Sequence, residues 1–144
     1  VQLHAQIFAF GLPNIFITIN PCDLHHPLAM KFAGVDLDID NLVPDKMPDS
    51  QHRASIVATH PVAIARFFNK LIESVLTTLV AYDQRQHRSI PNGGILGKID
   101  AYYGTVEESG RGSLHLHMLL WLAGNMTPND LRQCIHNEVR ENNL

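Results

Sequence analysis

A chain of 144 residues, 45% hydrophobic and 17% charged, suffices for one domain with a core of its own and is short for two. Arg66, Lys70 and Glu73 interrupt its longest apolar stretch, so no window approaches the roughly 20 apolar residues of a membrane-spanning helix. The formal net charge of −3 argues against a broadly basic, phosphate-binding surface.

In chain order, Leu3, Ile7 and Phe10 recur at helical spacing, and Gly11 followed by Pro13 predicts that a first helix stops there. Ile15 to Ile19 is a β-branched and aromatic run closed by Asn20 and Pro21, which predicts a buried strand. From Cys22 to about Thr59 the chain reads as a long loop with Pro27, Pro44 and Pro48, broken only by a short helix near Leu28 to Phe32. Pro61 then opens the clearest helix, with Ile64, Phe68, Leu71, Val75, Leu79 and Tyr82 on one apolar face. The polar stretch Asp83 to Gly94 releases the chain into a second strand from about Ile95 to Glu107. A glycine-bearing loop from Ser109 to Ser113 turns it back into a third strand, Leu114 to Leu122. Thr127, Pro128 and Asp130 mark the start of a last helix carrying Leu131, Ile135 and Val139. The expected fold is α+β: an antiparallel sheet with helices on one face, in the split β-α-β-β-α arrangement lacking its last strand, as a single partial domain over residues 1–144. The start at Val1, without a leader pattern, reads as a cut boundary, and the chain as truncated at both ends.

The chemistry concentrates in His115-Leu116-His117. The twofold period of a strand puts both imidazoles on one face and Leu114, Leu116 and Met118 on the other. Imidazoles suit divalent transition metals, and two of them leave coordination positions for a carboxylate, water and a substrate oxygen. A bare His-x-His is more often two partly exposed strand histidines. A turn centred on Arg111, however, brings Glu107 opposite His115 on the same face, and a shift of one residue would bring Glu108 there instead. The combination points to a metal site formed by His115, His117 and Glu107.

The stretch GTVEESGRGSLHLHMLLWL from Gly104 to Leu122 resembles the signature of the Helitron helicase-like N-terminal domain, a branch of the histidine-hydrophobic-histidine (HUH, Rep-type) endonuclease superfamily. GLPNIFITINP from Gly11 to Pro21, followed by Asp23 and Leu24, is similar to that family's first motif, and GILGK from Gly94 to Lys98 extends the likeness over nearly the whole chain. The resemblance implies the HUH endonuclease core, which is ferredoxin-like, and a nuclear protein of rolling-circle transposons that nicks single-stranded DNA as part of a larger Rep-helicase polypeptide. There a tyrosine attacks the phosphodiester while Mg²⁺ or Mn²⁺ on the histidines polarises the phosphate, offsetting the poor nucleophilicity of a phenol at neutral pH. His115 and His117 match the two metal ligands, Glu107 matches the acidic position before the loop, and Ser109 stands where a glutamine is often found, which puts a fourth ligand there in question.

The tyrosines of that family lie downstream of the histidine pair, and no Tyr follows His117. Tyr82, Tyr102 and Tyr103 precede it and read as helix-face and strand aromatics, so no catalytic residue is assigned. The fragment is expected to bind a divalent metal and DNA without cutting, with Arg111 and Lys98 as phosphate contacts. The acids cluster in Asp36, Asp38, Asp40, Asp45 and Asp49, whereas Arg85, His87, Arg88, Lys98 and Arg111 lie in the other half, so a local basic surface is compatible with the net charge. Asn41 and Met47 occupy positions where a calcium loop needs glycine and glutamate, so Asp36 to Asp40 is not such a loop. His25 and His26 lack strand spacing, Trp121 reads as core, and Cys22 and Cys134 are expected to be free thiols. Two other functions compete: a non-catalytic transposon remnant that keeps only the fold, favoured by the acidic charge and the missing tyrosine, and a metallohydrolase using bound water, for which no general base stands out.

Overall fold

The computed structural model describes residues 2–41, 47–109, 113–124, 129, 132 and 133. Helix α1 (Gln2–Phe10) ends as expected, where Gly11 turns to φ 77 and its N–H closes on the Ile7 carbonyl at 2.9 Å. Strand β1 (Ile15–Ile19) alternates half-buried isoleucines with exposed Phe16 and Thr18. A single 3-10 turn (Asp23–His25) leads into α2 (Pro27–Phe32), where the His26 ring accepts the Leu28 N–H at 3.3 Å.

The segment expected to continue as loop contains α3 (Ser50–Thr59), capped by Asp49, whose carboxylate accepts the His52 N–H at 2.9 Å. It was hidden because only Ile56 and Val57 are buried, too few to print a helical apolar face on the sequence.

Helix α4 (Pro61–Ser74) is shorter than its apolar spacing suggests. At Val75–Leu79 it widens into a π turn, the Val80 N–H reaching the Val75 carbonyl at 3.0 Å, and Ala81 then takes φ 54. Tyr82 therefore leaves the helix and opens a short hairpin, β2 (Tyr82–Asp83) and β3 (Arg88–Ser89), inside the stretch expected as a plain connection. The cause lies later in the chain: the Ile95 N–H takes the Leu79 carbonyl at 2.9 Å, and a Cβ on Gly94 would stand 2.2 Å from that oxygen. Only glycine permits this approach. Gly94 and Gly97 bond each other's backbone in both directions at 2.9 Å, so β4 begins at Ile99 rather than near Ile95.

Strands β4 (Ile99–Glu108) and β5 (Leu114–Leu122) form the expected hairpin, and the sheet order is β1-β5-β4, antiparallel throughout. β1 and β4 are thus parallel to each other with β5 between them, the split arrangement in which a helical crossover precedes the hairpin. Phe68, Leu76 and Val80 pack onto Leu116, Met118 and Leu120 across one sheet face. A second cluster, with Met30, Leu37, Ile56, Val57, Ile64 and Phe67 among its members, joins α2 and α3 to the far side of α4. The fold is α+β. The last helix expected from Thr127 falls almost wholly outside the described residues, as does Cys134; Cys22 is a free, exposed thiol.

Truncating Leu120, which is fully buried at the centre of the sheet, is expected to cost about 2–5 kcal/mol in a urea titration of Leu120→Ala. The bond from the His52 amide holds the Asp49 carboxyl below its ordinary value of 3.8. Its contribution to stability is therefore full above that value and lost as pH falls through the lowered one. The gap in melting temperature between wild type and Asp49→Ala should be present at pH 7 and close progressively below pH 3.8.

Candidate metal centre

Strand β5 carries two chemistries on its two faces. Leu116, Met118 and Leu120 are buried against the helices, so His115, His117, Leu119 and Trp121 project from the opposite face. Among the described residues, that opposite face is closed at the end that carries Trp121. Trp121 is fully buried and its indole N–H donates to the Gly11 carbonyl at 2.8 Å, while Asn14 exchanges bonds with the backbone of Leu120 and Leu122. Beside it, α1 rests on β4, the Gln6 amide donating to the Tyr102 carbonyl at 3.0 Å. At the other end the histidines remain half-exposed.

The register sets their neighbours. His117 lies between Thr18 on β1 and Thr105 on β4, and His115 lies opposite Glu107, while Glu108 pairs with Leu114 and belongs to the other face. The Glu107 carboxylate nevertheless reaches diagonally, Oε2 standing 3.5 Å from Nε2 of His117. The loop that fixes this register is closed by the Ser109 N–H and hydroxyl, both donating to the Ser113 carbonyl at 2.9 and 3.1 Å. Ser109 thus has a structural task where sequence comparison raised a ligand question.

Three polar residues that sequence reasoning assigned no role line up along the other side of β5. Nδ1 of His117 and the Thr18 hydroxyl share a hydrogen bond at 3.1 Å, in a direction set by the ring tautomer. Nδ1 of His115 lies 3.3 Å from Asn20 Oδ1, and an N–H at that position would donate to this oxygen and leave Nε2 to face a ligand. Asp23, buried at 4% exposure, accepts from the Ser113 hydroxyl at 3.0 Å and from the Leu24 N–H at 2.8 Å. The Phe16 ring stacks nearly parallel to His117, centroids 5.9 Å apart, and fixes its plane. The signal was present in the alternation of β1, where Phe16, Thr18 and Asn20 interleave with isoleucines, but it needed the pairing partner to be read.

The donor set fits a divalent cation in chemistry and nearly in geometry. Metal-bound histidines commonly spend the second ring nitrogen on a hydrogen bond that orients the first, the arrangement Asn20 gives His115 and Thr18 can give His117. Two ligand atoms about 2.1 Å from one ion sit about 3.0–3.4 Å apart, close to the 3.5 Å between Glu107 and His117. The imidazole centroids, at 6.1 Å and tilted by 44°, are wider than the about 5 Å of two rings on one ion, so His115 has to swing inward. Consistently, no group of three His, Cys, Asp or Glu side chains among the described residues is already gathered to hold a metal.

The other predicted residues are placed elsewhere. Lys98 is exposed, but it precedes β4, whose length separates it from Glu107 by about 30 Å of extended chain. Arg111 lies outside the described residues. His25 bonds Arg53 at 3.2 Å and His26 packs on Phe67 at 4.6 Å, so both serve the helical layer. The Asp38 carboxylate folds back on Asp40 and Asn41. Tyr103 shares the histidine face, opposite Leu119, whereas Tyr82 and Tyr102 pack into the core. Burial first, then Tyr102 and Asp100, raises the Tyr82 phenol above its ordinary value and keeps it protonated.

The family model of the Helitron helicase-like domain at the N-terminus matches residues 1–120, from α1 through both histidines. The chain belongs to that family. It is a Helitron transposon-related domain. Comparison with curated proteins and with solved structures gave no match. No described helix is long and apolar enough to cross a membrane.

Because Asp23 is buried and ties the hairpin to the turn after β1, Ser113→Ala in this Helitron-like domain should leave that carboxylate short of a donor. The expected cost is about 1–3 kcal/mol in urea unfolding, together with faster amide exchange at Ser109.

Proposed function

We propose that this domain holds Mg²⁺ or Mn²⁺ between His115, His117 and Glu107 and thereby binds a phosphodiester of single-stranded DNA, as the metal half of a Helitron strand-nicking site. The observation that carries the reading is the pair of imidazoles on the open face of β5, with Nδ1 engaged by Thr18 and Asn20, beside a carboxylate at 3.5 Å. The bound cation would supply Lewis acidity to the phosphate oxygens. The chain's own residues do the rest: Thr18 and Asn20 hold the rings, Phe16 sets the plane of His117, and Glu107 offsets the ion's charge. Arg111 and Lys98 are assigned to the DNA backbone, Lys98 far along the strand from the cation. The tyrosine nucleophile belongs, on this reading, to another part of a larger nuclear Rep-helicase polypeptide engaged in rolling-circle transposition.

The second reading is a remnant that keeps the fold alone, favoured by the net charge of −3 and the 6.1 Å ring separation. Calorimetric titration with Mn²⁺ separates the two. Wild type should bind saturably, the His115→Ala, His117→Ala double variant should not, and Thr18→Val should bind about tenfold or more weakly by freeing the His117 ring. Equal heats from wild type and the double variant would remove the metal site. Fluorescence anisotropy of a labelled single strand at rising salt then tests the partner, since phosphate contacts weaken as a power of salt concentration.

A further inference from the structure

The histidine face of the sheet is zoned in rows that run across its three strands. Thr18, His117 and Thr105 form one row, and Phe16, Leu119 and Tyr103 form the next. Residues opposite each other in an antiparallel pair share a face, so an apolar, aromatic row directly borders the imidazole of His117. Its three side chains differ in what they leave open. Leu119 is half-buried on the middle strand, and Tyr103 is half-buried and lines a cavity with Gln2 and Gln6 of α1. Phe16, on β1, is 64% exposed. Core packing does not account for that ring, because the β1 side chains that pack on the core are Ile15, Ile17 and Ile19, on the other face. Its plane instead follows that of the His117 imidazole, 4° away, with centroids 5.9 Å apart. An aromatic ring thus has a set orientation and an open surface beside the histidines. The row carries no charged side chain, which suits it to an uncharged planar group and not to a phosphate.

We propose that Phe16 is the stacking platform for one base of an unpaired DNA strand, the base attached next to the phosphate that the histidines would hold. Unpaired bases stack on exposed aromatic side chains of sheet surfaces, and every base has a π-face, so such a platform accepts any sequence. The spacing suits one nucleotide. Phe16 lies two residues, about 7 Å, along β1 from Thr18, the cross-strand partner of His117. Stacking also answers the charge of the domain, since at a net charge of −3 it provides a contact to the strand that needs no basic residue. The inference rests on the proposed single-stranded DNA reading and deepens it by naming where a base lies.

Fluorescence anisotropy in the presence of Mn²⁺ tests it with two labelled strands of equal length and equal phosphate number, an oligothymidine and its abasic counterpart. Wild type should bind the base-bearing strand about fivefold or more tightly than the abasic one. Phe16→Leu should bind the two nearly alike, and Phe16→Tyr should keep the preference. The ratio isolates stacking, because a disturbed His117 ring or a lost cation would weaken both strands together and leave their ratio unchanged. Equal affinity of wild type for the two strands overturns the platform, as does a preference that Phe16→Leu retains in full or that Phe16→Tyr loses. The two readings fail differently. Equal binding of both strands sinks the platform alone, whereas no binding of either strand by wild type sinks the single-stranded DNA reading and the platform with it.

Discussion

The register of β5 is the constraint on which the rest of this domain depends. A slip of one residue would bury His115 and His117 in hydrocarbon and turn Leu116, Met118 and Leu120 to water. Local turn chemistry alone does not hold it. Ser109 closes the loop from one side, Asp23 grips Ser113 from the other, and Asn14 ties down the far end at Leu120 and Leu122. The strand is clamped at both ends by bonds whose partners lie far away in sequence, while its middle is fixed by the apolar layer under it.

This clamping explains how one strand sustains a dry face and a polar one. On the dry face the helix delivers Phe68 and Leu76 onto Leu116 and Met118. On the other, burial fades along the strand from Trp121, sealed by Gly11, to the half-exposed histidines. The gradient has an electrostatic corollary. A domain with a net charge of −3 offers weak general attraction to a polyanion, so any affinity for phosphate has to be local. The proposed divalent cation on the histidine face would supply such a local charge without requiring a basic surface, and Glu107 alone would not cancel it.

Much of this was legible in the sequence, and the boundary between the legible and the hidden is physical. β1 and β5 were readable to the residue because β-branched and apolar runs there stop at prolines, glycines or polar residues. The facing of Glu107 and His115 was readable because few residues separate the two strands, Glu108 pairing with Leu114. The exit of α4 was not, since it depends on Gly94 arriving against the Leu79 carbonyl from later in the chain. Nor was α3, which buries two residues and is announced mainly by the Asp49 cap. Thr18, Asn20 and Asp23 stayed hidden for a related reason: the β1–β5 pairing joins residues about a hundred apart, and no turn between them reports its register.

The same topology restricts how a nucleophile can reach the site. The helical layer of α4 and its extension covers the face of the sheet opposite the histidines, and α1 with Trp121 closes one end of the histidine face. β5 is bordered by β1 and β4 on both sides. Among the described residues, a phosphodiester held at His115 and His117 as proposed would be open from above the sheet. In-line attack demands that nucleophile and leaving oxygen lie on opposite sides of the phosphorus. On the proposed reading the strand would run across the face, and a tyrosine that cleaves it would descend from outside the three strands. Tyr82, packed in the core with a raised phenol, is excluded from that role by position and by chemistry alike.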